Sequence, residues 1–420
     1  MPTDWVLVAV LAGCSDGAGA PEDLTVTVSP TMPTVIHVDW TTAEPVSAQV
    51  RFAGFTTPAD PSSTAHHHTL VGVGPDTEVG WEILTDGTVV EAGTIRTGSL
   101  PDRPVAVATG ETTRLHLTAL LGETSARIVL LDRAGSIVWD HVDTRGLSVF
   151  RARAVPDGVW YASVLVNGGP SPDSVLVHVN WDGEEDRVIA VPDLAHDFVV
   201  LPDGRLGALA YDTVDDVLGN KIVEVDPETG VAVDRWSAWD CFDPVANPSD
   251  DPTRGWTHTN ALDYDPVADA YLVGMRNLHT IARVDRATGA CPWAFGGTGG
   301  DVAVDGELFV HQHQFEQIDG GLLVFDNDGA PGDESRVLEY TFDPDAHTGA
   351  LVETYRAEPP LYSFILGDVH RLPDGGTTIG WSVPGVFEER DRSGEVRARF
   401  DYDAGLLGFV EPLLDAYRPD

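Results

Sequence analysis

Lysine is almost missing from this chain. Its 420 residues include one, Lys221, and all basic residues together number 25 against 67 acidic ones, a formal net charge of −42. A field of that sign repels nucleic acid and anionic membrane surfaces, so neither is expected as a partner. It also repels small anions, so an anionic substrate would need a local cationic pocket. Nearly all of the carboxylates read as a solvated surface. Helical periodicity is scarce as well: only the C-terminal "VEPLLDAY" suggests it, which excludes a helical fold. Long apolar runs are absent, and no stretch is long and apolar enough to cross a bilayer as a mature helix. Cysteine is limited to Cys14, Cys241 and Cys291, with no CxxC spacing and no neighbouring histidine cluster, so neither a structural zinc site nor any other metal or cofactor is expected.

What is present begins with an apolar run from Trp5 to Ala12 that reads as the end of a secretory signal. Leu11-Ala12-Gly13-Cys14 resembles the bacterial lipobox, in which Cys14 becomes the lipidated first residue ahead of a small, polar tether. No Lys or Arg precedes the run, a departure that a start codon placed too late would explain. The expected location is that of an exported lipoprotein, in the periplasm or at the cell surface, touching the membrane only through its lipid. In an oxidising compartment Cys241 and Cys291 suggest a disulfide, with two unpaired buried thiols as the alternative.

Residues 22–100 alternate in short strands ("LTVTVSP", "TVIHVDW", "SAQVRF", "EVGWEIL") separated by Pro, Gly and Thr, the pattern of a small β-sandwich. The segment around "GPDTEVGWEIL" resembles a fibronectin type III strand with Val79 in place of its tyrosine. The triplet His66, His67 and His68 reads as exposed loop or strand edge, because consecutive strand residues face opposite ways.

From residue 101 to 420 one unit recurs: an alternating strand, an Asp-x-Gly or longer Asp-to-Gly turn, and a second strand. The turn glycines are Gly135, Gly183, Gly230, Gly289, Gly349 and Gly394, roughly 45 to 60 residues apart. Six such hairpins predict a six-bladed β-propeller, and Asp-Gly turns between them mark the inner hairpins. With residues 1–21 as signal and tether, the organisation is tether, sandwich, propeller. The run "DNDGAPGDE" reads as an ordinary turn in preference to a calcium loop.

Aligning the inner turns places His196, His258 and His313 at equivalent starts of inner strands, so rotation about the propeller axis brings them to one mouth. In "WTHTNALDYD", His258 and Asn260 share a face, and the returning strand carries Arg276 back to the same end. Imidazoles, an amide and a guanidinium in one volume form an anion clamp.

These residues also carry a resemblance. The run "WTHTNALDYDPVADAYLVGMRNLHTIARVDRATGACPWAFGG", with "HDFVVLPDG", "HQHQFEQIDGGLLVFDNDG" and "SRVLEYTFD", resembles the bacterial arylsulfate sulfotransferases over most of residues 105–418. The resemblance implies a six-bladed propeller behind a small β-domain. It implies transfer of a sulfuryl group from an aryl sulfate to a phenol through a sulfated histidine, without a nucleotide sulfate donor. Gln312-His313 matches the nucleophile motif, His258 and Asn260 the His-x-Asn pair, Arg276 the sulfate-binding arginine and His196 the remaining histidine. His311 and His370 depart from the family pattern and are expected as substitute substrate-binding residues. The alternatives are a non-catalytic propeller lipoprotein that binds a ligand or partner, and a sulfatase using water as acceptor.

Overall fold

The computed structural model describes residues 19–100, 104, 106–122, 125–165, 169–327, 334–403 and 405–419, so Cys14 and the lipobox lie outside the described residues. The described elements are strands and three short 3-10 turns.

The N-terminal strands build a three-stranded and a four-stranded sheet. Ile36–Val46 buries Ile36, Val38 and Trp40 at alternate positions, and they meet Ala48, Val50 and Phe52 from Ala48–Phe52 and Val79, Trp81 and Ile83 from Glu78–Thr85 in one core. Alternation therefore supplies a dry face to each sheet, which is what a sandwich requires. The histidine triplet differs from expectation. Ser63–Leu70 is an edge strand, yet His66 and His68 point inward and are buried. They stack on Trp40, and His66 Nδ1 lies 2.6 Å from the Asp60 carboxylate. A polar partner and an aromatic face make that burial tolerable.

The rest of the chain is a propeller of six sheets among the described residues, each following the last in sequence and antiparallel except where Ala303–Asp305 pairs in parallel with Thr348–Tyr355. Their inner strands are Ser148–Val155, Leu194–Val200, Thr259–Asp265, Phe315–Ile318, Asp368–Arg371 and Glu411–Asp415. The last of these belongs to the first sheet, where Glu411 and Leu413 pair with Leu117 and Leu115. At the other end, Ala106–Thr109 pairs with the outer strand Val396–Tyr402 of the final sheet. The C-terminal segment is therefore a strand and not a helix. Five residues are too few to separate the two periods, and pairing with Leu115–Leu121 decides the outcome.

Five of the six turn glycines take positive φ, as their hairpins require. At the fifth hairpin the left-handed residue is His347 (φ 50°). Gly349 lies inside the strand Thr348–Tyr355, where a Cβ would approach the Phe295 ring to 2.9 Å. Cys241 and Cys291 form a disulfide that ties the third sheet's outer end to the fourth sheet.

One buried polar node touches every sheet. Arg151, fully buried, donates through Nε to Asp197 at 3.0 Å and through Nη1 to Asp368 at 3.1 Å. Asp197 also accepts the Leu262 N–H at 2.9 Å and the Gln314 amide at 2.7 Å, while Asp368 accepts the Val410 N–H at 2.8 Å. This layer crosses the channel just inside the strand starts and forms the floor of the mouth above it.

Candidate active site

His196 lies within Leu194–Val200, His258 immediately before Thr259–Asp265, and His313 two residues before Phe315–Ile318. All three side chains belong to buried residues. His196 and His258 meet edge to face with ring centroids 4.8 Å apart, and Phe150 stacks on His196 from behind. His258 is held in the left-handed region (φ 42°), which turns its ring out of the strand path. The Arg276 N–H donates to the His258 carbonyl at 3.3 Å, so the adjacent strands bring guanidinium and imidazole to the same end.

Hydrogen bonding fixes the state of His313. The Asn327 Nδ2 group donates to the carbonyls of Ser363 (2.6 Å) and Leu366 (2.8 Å), which leaves Oδ1 facing His313 Nδ1 at 2.7 Å. An amide oxygen only accepts, so Nδ1 carries the proton and Nε2 keeps its lone pair. Burial, reinforced by Arg276, holds the His313 pKa well below the ordinary imidazole range. Burial also lowers His258, followed by its neighbours His196, Arg276 and His313. His196 is lowered by burial to about 4, with Asp197 opposing and Arg254 and Arg276 adding to the effect.

Asn327 is the residue that sequence reasoning missed. It sits in a run of aspartates that reads as a turn, and nothing local distinguishes it. Asp326 beside it is engaged by the Val310 N–H and by Arg336, and residues 328–333 of the same run lie outside the described residues. The His313 to Asn327 contact is a charge-free hydrogen bond of ordinary net worth, about 1 kcal/mol. Asn327→Ala is therefore expected to release the ring and its tautomer and to lower about fivefold any turnover that depends on His313, measured as kcat.

Gln312 and Asn260 support this arrangement from behind. Gln312 Nε2 donates to the carbonyls of Met275 (3.2 Å) and Thr280 (3.1 Å), which frame the 3-10 turn Arg276–Leu278. Asn260, expected as a substrate ligand, is instead fully buried and donates to the Gln312 carbonyl at 2.9 Å. Its amide aligns the peptide before His313, and its complete burial leaves no exposed face for a ligand. Arg276 retains 15% side-chain exposure, and its nearest carboxylate oxygen, on Asp251, is 4.0 Å away. Burial lowers its pKa and Asp251 and Asp250 raise it, but a guanidinium stays charged. Its Nη1 donates to Asn277 Oδ1 at 2.8 Å, which orients the guanidinium without neutralising it and leaves its charge available to an anion.

His311 turns to the rim. Its Nε2 lies 2.8 Å from Asp250 Oδ2, and the His279 Nε2 lies 3.0 Å from the same oxygen. These three groups form a plausible ligand set for a divalent cation by residue type. However, His279 Nδ1 accepts the His311 N–H at 2.9 Å, so the His279 proton sits on Nε2, where a metal would need the lone pair. Hydrogen bonds link the three groups.

His370 is not brought to this mouth. Its Nδ1 lies 3.6 Å from Glu316 and its Nε2 3.2 Å from Asp368, beyond the Arg151 node. It lines a cavity of 790 Å³ with Arg153, Asp263, Glu316 and Glu411 at the opposite ends of the inner strands. Burial pushes the Glu316 carboxyl up to about 7. His370 is tied there by its contact with Asp368, two positions earlier on the strand, and so stands apart from His196, His258 and His313.

Comparison with known proteins adds the family. A family model described as Arylsulfotransferase (ASST) matches residues 105–407. Comparison with curated proteins returns no match. Similar solved structures include a protein of unknown function from Bacteroides caccae, at 16% identity and TM-score 0.48 over 71% of this chain and 99% of that one. A putative 6-phosphogluconolactonase from Bacteroides fragilis matches at 12% identity and TM-score 0.44, over 89% of this chain and 99% of that one. The β-propeller domain of Cps50 (Swd1) from Myceliophteria thermophila matches at 10% identity and TM-score 0.41, over 71% and 87%. Similarity at that level carries no functional argument. The family match covers the whole set of mouth residues from His196 to Asn327, and on it this chain belongs to the arylsulfotransferase family.

Proposed function

We propose that the protein transfers a sulfuryl group from an aryl sulfate to a phenol through His313, without a nucleotide sulfate donor. The observation that carries this reading is the Asn327 to His313 hydrogen bond, which leaves a neutral imidazole with its Nε2 lone pair free beside Arg276. Sulfuryl transfer, like phosphoryl transfer, spreads charge over three equatorial oxygens with the attacking and leaving atoms in line, so positioning and electrostatics dominate. Nε2 of His313 forms the N–S bond as the S–O bond to the phenolate breaks. Arg276 holds the equatorial oxygens, and its cationic neighbour Arg254 helps to offset the acidic exterior. His258 and His196, neutral at the working pH, line the route by which a proton from solvent reaches the departing phenolate. In the second step a phenol loses its proton to the same pair, attacks sulfur and returns His313 to its starting state.

The pH dependence follows from the lowered imidazole values. The active form of His313 is neutral, and its folded pKa lies well below 6.5. Activity is therefore expected to stay flat from pH 8 down through about 6.5 and to fall only in more acid solution as Nε2 takes a proton. Stability follows the same sign. Above 6.5 these histidines are neutral in both states, and below it the unfolded chain binds protons that the folded chain refuses, so stability falls with pH. Initial rates and unfolding midpoints across pH 4 to 8 check both; an activity midpoint near 6.5 or above would contradict the assignment of His313.

The direct test is mass spectrometry of the protein quenched after exposure to 4-nitrophenyl sulfate. A sulfuryl group on the peptide carrying His313 is expected. Its absence under conditions that release nitrophenol would reject the covalent intermediate.

A further inference from the structure

The segment "RAEPPLYSFIL", Arg356 to Leu366, links the outer strand Thr348–Tyr355 of the fifth sheet to the inner strand Asp368–Arg371 of the sixth. Its centre is pinned. The Ser363 carbonyl accepts from Asn327 Nδ2 at 2.6 Å and from the Ser335 hydroxyl at 3.1 Å, and the Ser363 N–H donates to that hydroxyl at 2.9 Å. The Ser363 hydroxyl accepts the Val383 N–H at 3.1 Å. Ser363 is fully buried, yet the residues on either side are not: Tyr362 is half-buried and Phe364 is 52% exposed. The two rings stand together, centroids 6.4 Å apart.

Their position relative to the chemistry is fixed by one amide. Asn327 bonds His313 through its oxygen and the Ser363 carbonyl through its nitrogen, so the nucleophile and the aromatic pair share a single anchor. Tyr362 is also near enough to Arg276 for the two groups to interact electrostatically. An exposed phenylalanine on an otherwise rigid turn, beside a tyrosine and an anion clamp, offers apolar ring faces where the sulfate's substituent must project.

We propose that Tyr362 and Phe364 form the lip that receives the aryl ring of donor and acceptor, and so set a preference for aryl over alkyl substituents. The inference rests on the sulfuryl-transfer reading of the same mouth. One lip serves both substrates because the leaving and the attacking oxygen occupy the same in-line position, opposite His313 Nε2. Offset or edge-to-face contact with such rings adds to the area they bury, which gives an aryl group an advantage over an alkyl group of similar size.

The test compares binding without turnover. Calorimetric titrations of 2-naphthyl sulfate and of inorganic sulfate are made on the full chain carrying His313→Ala, and again with Phe364→Ala or Tyr362→Ala added. Loss of either ring is expected to weaken 2-naphthyl sulfate about tenfold while inorganic sulfate stays within about twofold, and Phe364→Trp is expected to restore aryl binding. Unchanged aryl binding in both added variants would overturn the proposal, as would an equal loss for both ligands, which signals a general distortion. The two readings fail separately: a wild-type protein that forms no adduct on His313 rejects transfer, whereas an adduct combined with unchanged naphthyl sulfate affinity rejects the lip.

Discussion

Alanine at position 313 is expected to abolish phenol-dependent nitrophenol release, a fall of about 10⁴-fold or more in kcat, and to remove the sulfuryl adduct altogether. The size of the effect follows from what is lost. Arg276, His258 and His196 remain to bind and orient sulfate, but His258 is held only by a longer contact, from Nδ1 to the Arg254 carbonyl at 3.4 Å against 2.7 Å for His313 and Asn327. Direct attack by the acceptor would have to replace two easier displacements by one harder one. The contrast with Asn327→Ala is informative, since that change leaves the nucleophile in place and only frees its ring. Initial rates with 4-nitrophenyl sulfate and phenol measure both variants, and near-normal turnover in His313→Ala would remove this residue from the mechanism.

The largest expected effect on stability lies beneath the site. Arg151→Met leaves Asp197 and Asp368 buried without their guanidinium, and breaking a buried pair from one side costs about 3–5 kcal/mol. Neighbouring groups cannot compensate, because Asp197 would keep only the N–H and amide donors from Phe198, Leu262 and Gln314. The guanidinium also lies over the Phe409 ring at 4.4 Å, a contact that methionine reproduces only in part. Because the node reaches all six sheets, loss of stability is expected to be accompanied by loss of activity, since Asp197 directly follows His196 in the strand. Thermal unfolding of the purified variant measures the effect. A midpoint equal to that of the parent protein would show that the node contributes little to holding the ring.

The class of fold was legible in the sequence because a propeller repeats itself. Alternation in Ile36–Val46 and the Asp-to-Gly turns are local signals, and Gly135, Gly183, Gly230, Gly289 and Gly394 adopt the conformation that their turns demand. The fifth turn escaped because His347 performs the role assigned to Gly349. Convergence of His196 and His258 was legible for the same reason, since equivalent positions in a rotational repeat share an end. The contacts that hold the site residues in place were not, and the cause is distance along the chain. Asn327 reaches His313 across a hairpin, Gln312 reaches Met275 and Thr280 in the neighbouring sheet, and Asp250 meets His279 and His311 from a loop. Single-strand periodicity contains none of these contacts. His370 misled for a related reason: its position in the repeat placed it on an inner strand, but repeat position does not say at which end of the channel a side chain emerges.

The pairing of Glu411 and Leu413 with a strand made some three hundred residues earlier has a consequence for biogenesis. Tyr417, just beyond it, donates its hydroxyl proton to the Thr69 carbonyl at 2.6 Å and fills the sandwich core, so both bodies await the same short tail. A ribosome that has released every histidine of the mouth still holds a chain whose circle is open, with the node lacking its donor from Val410. Closure of the ring is thus a late event in synthesis, and a product terminated before Val410 would carry every histidine of the mouth without the strand that completes the first sheet.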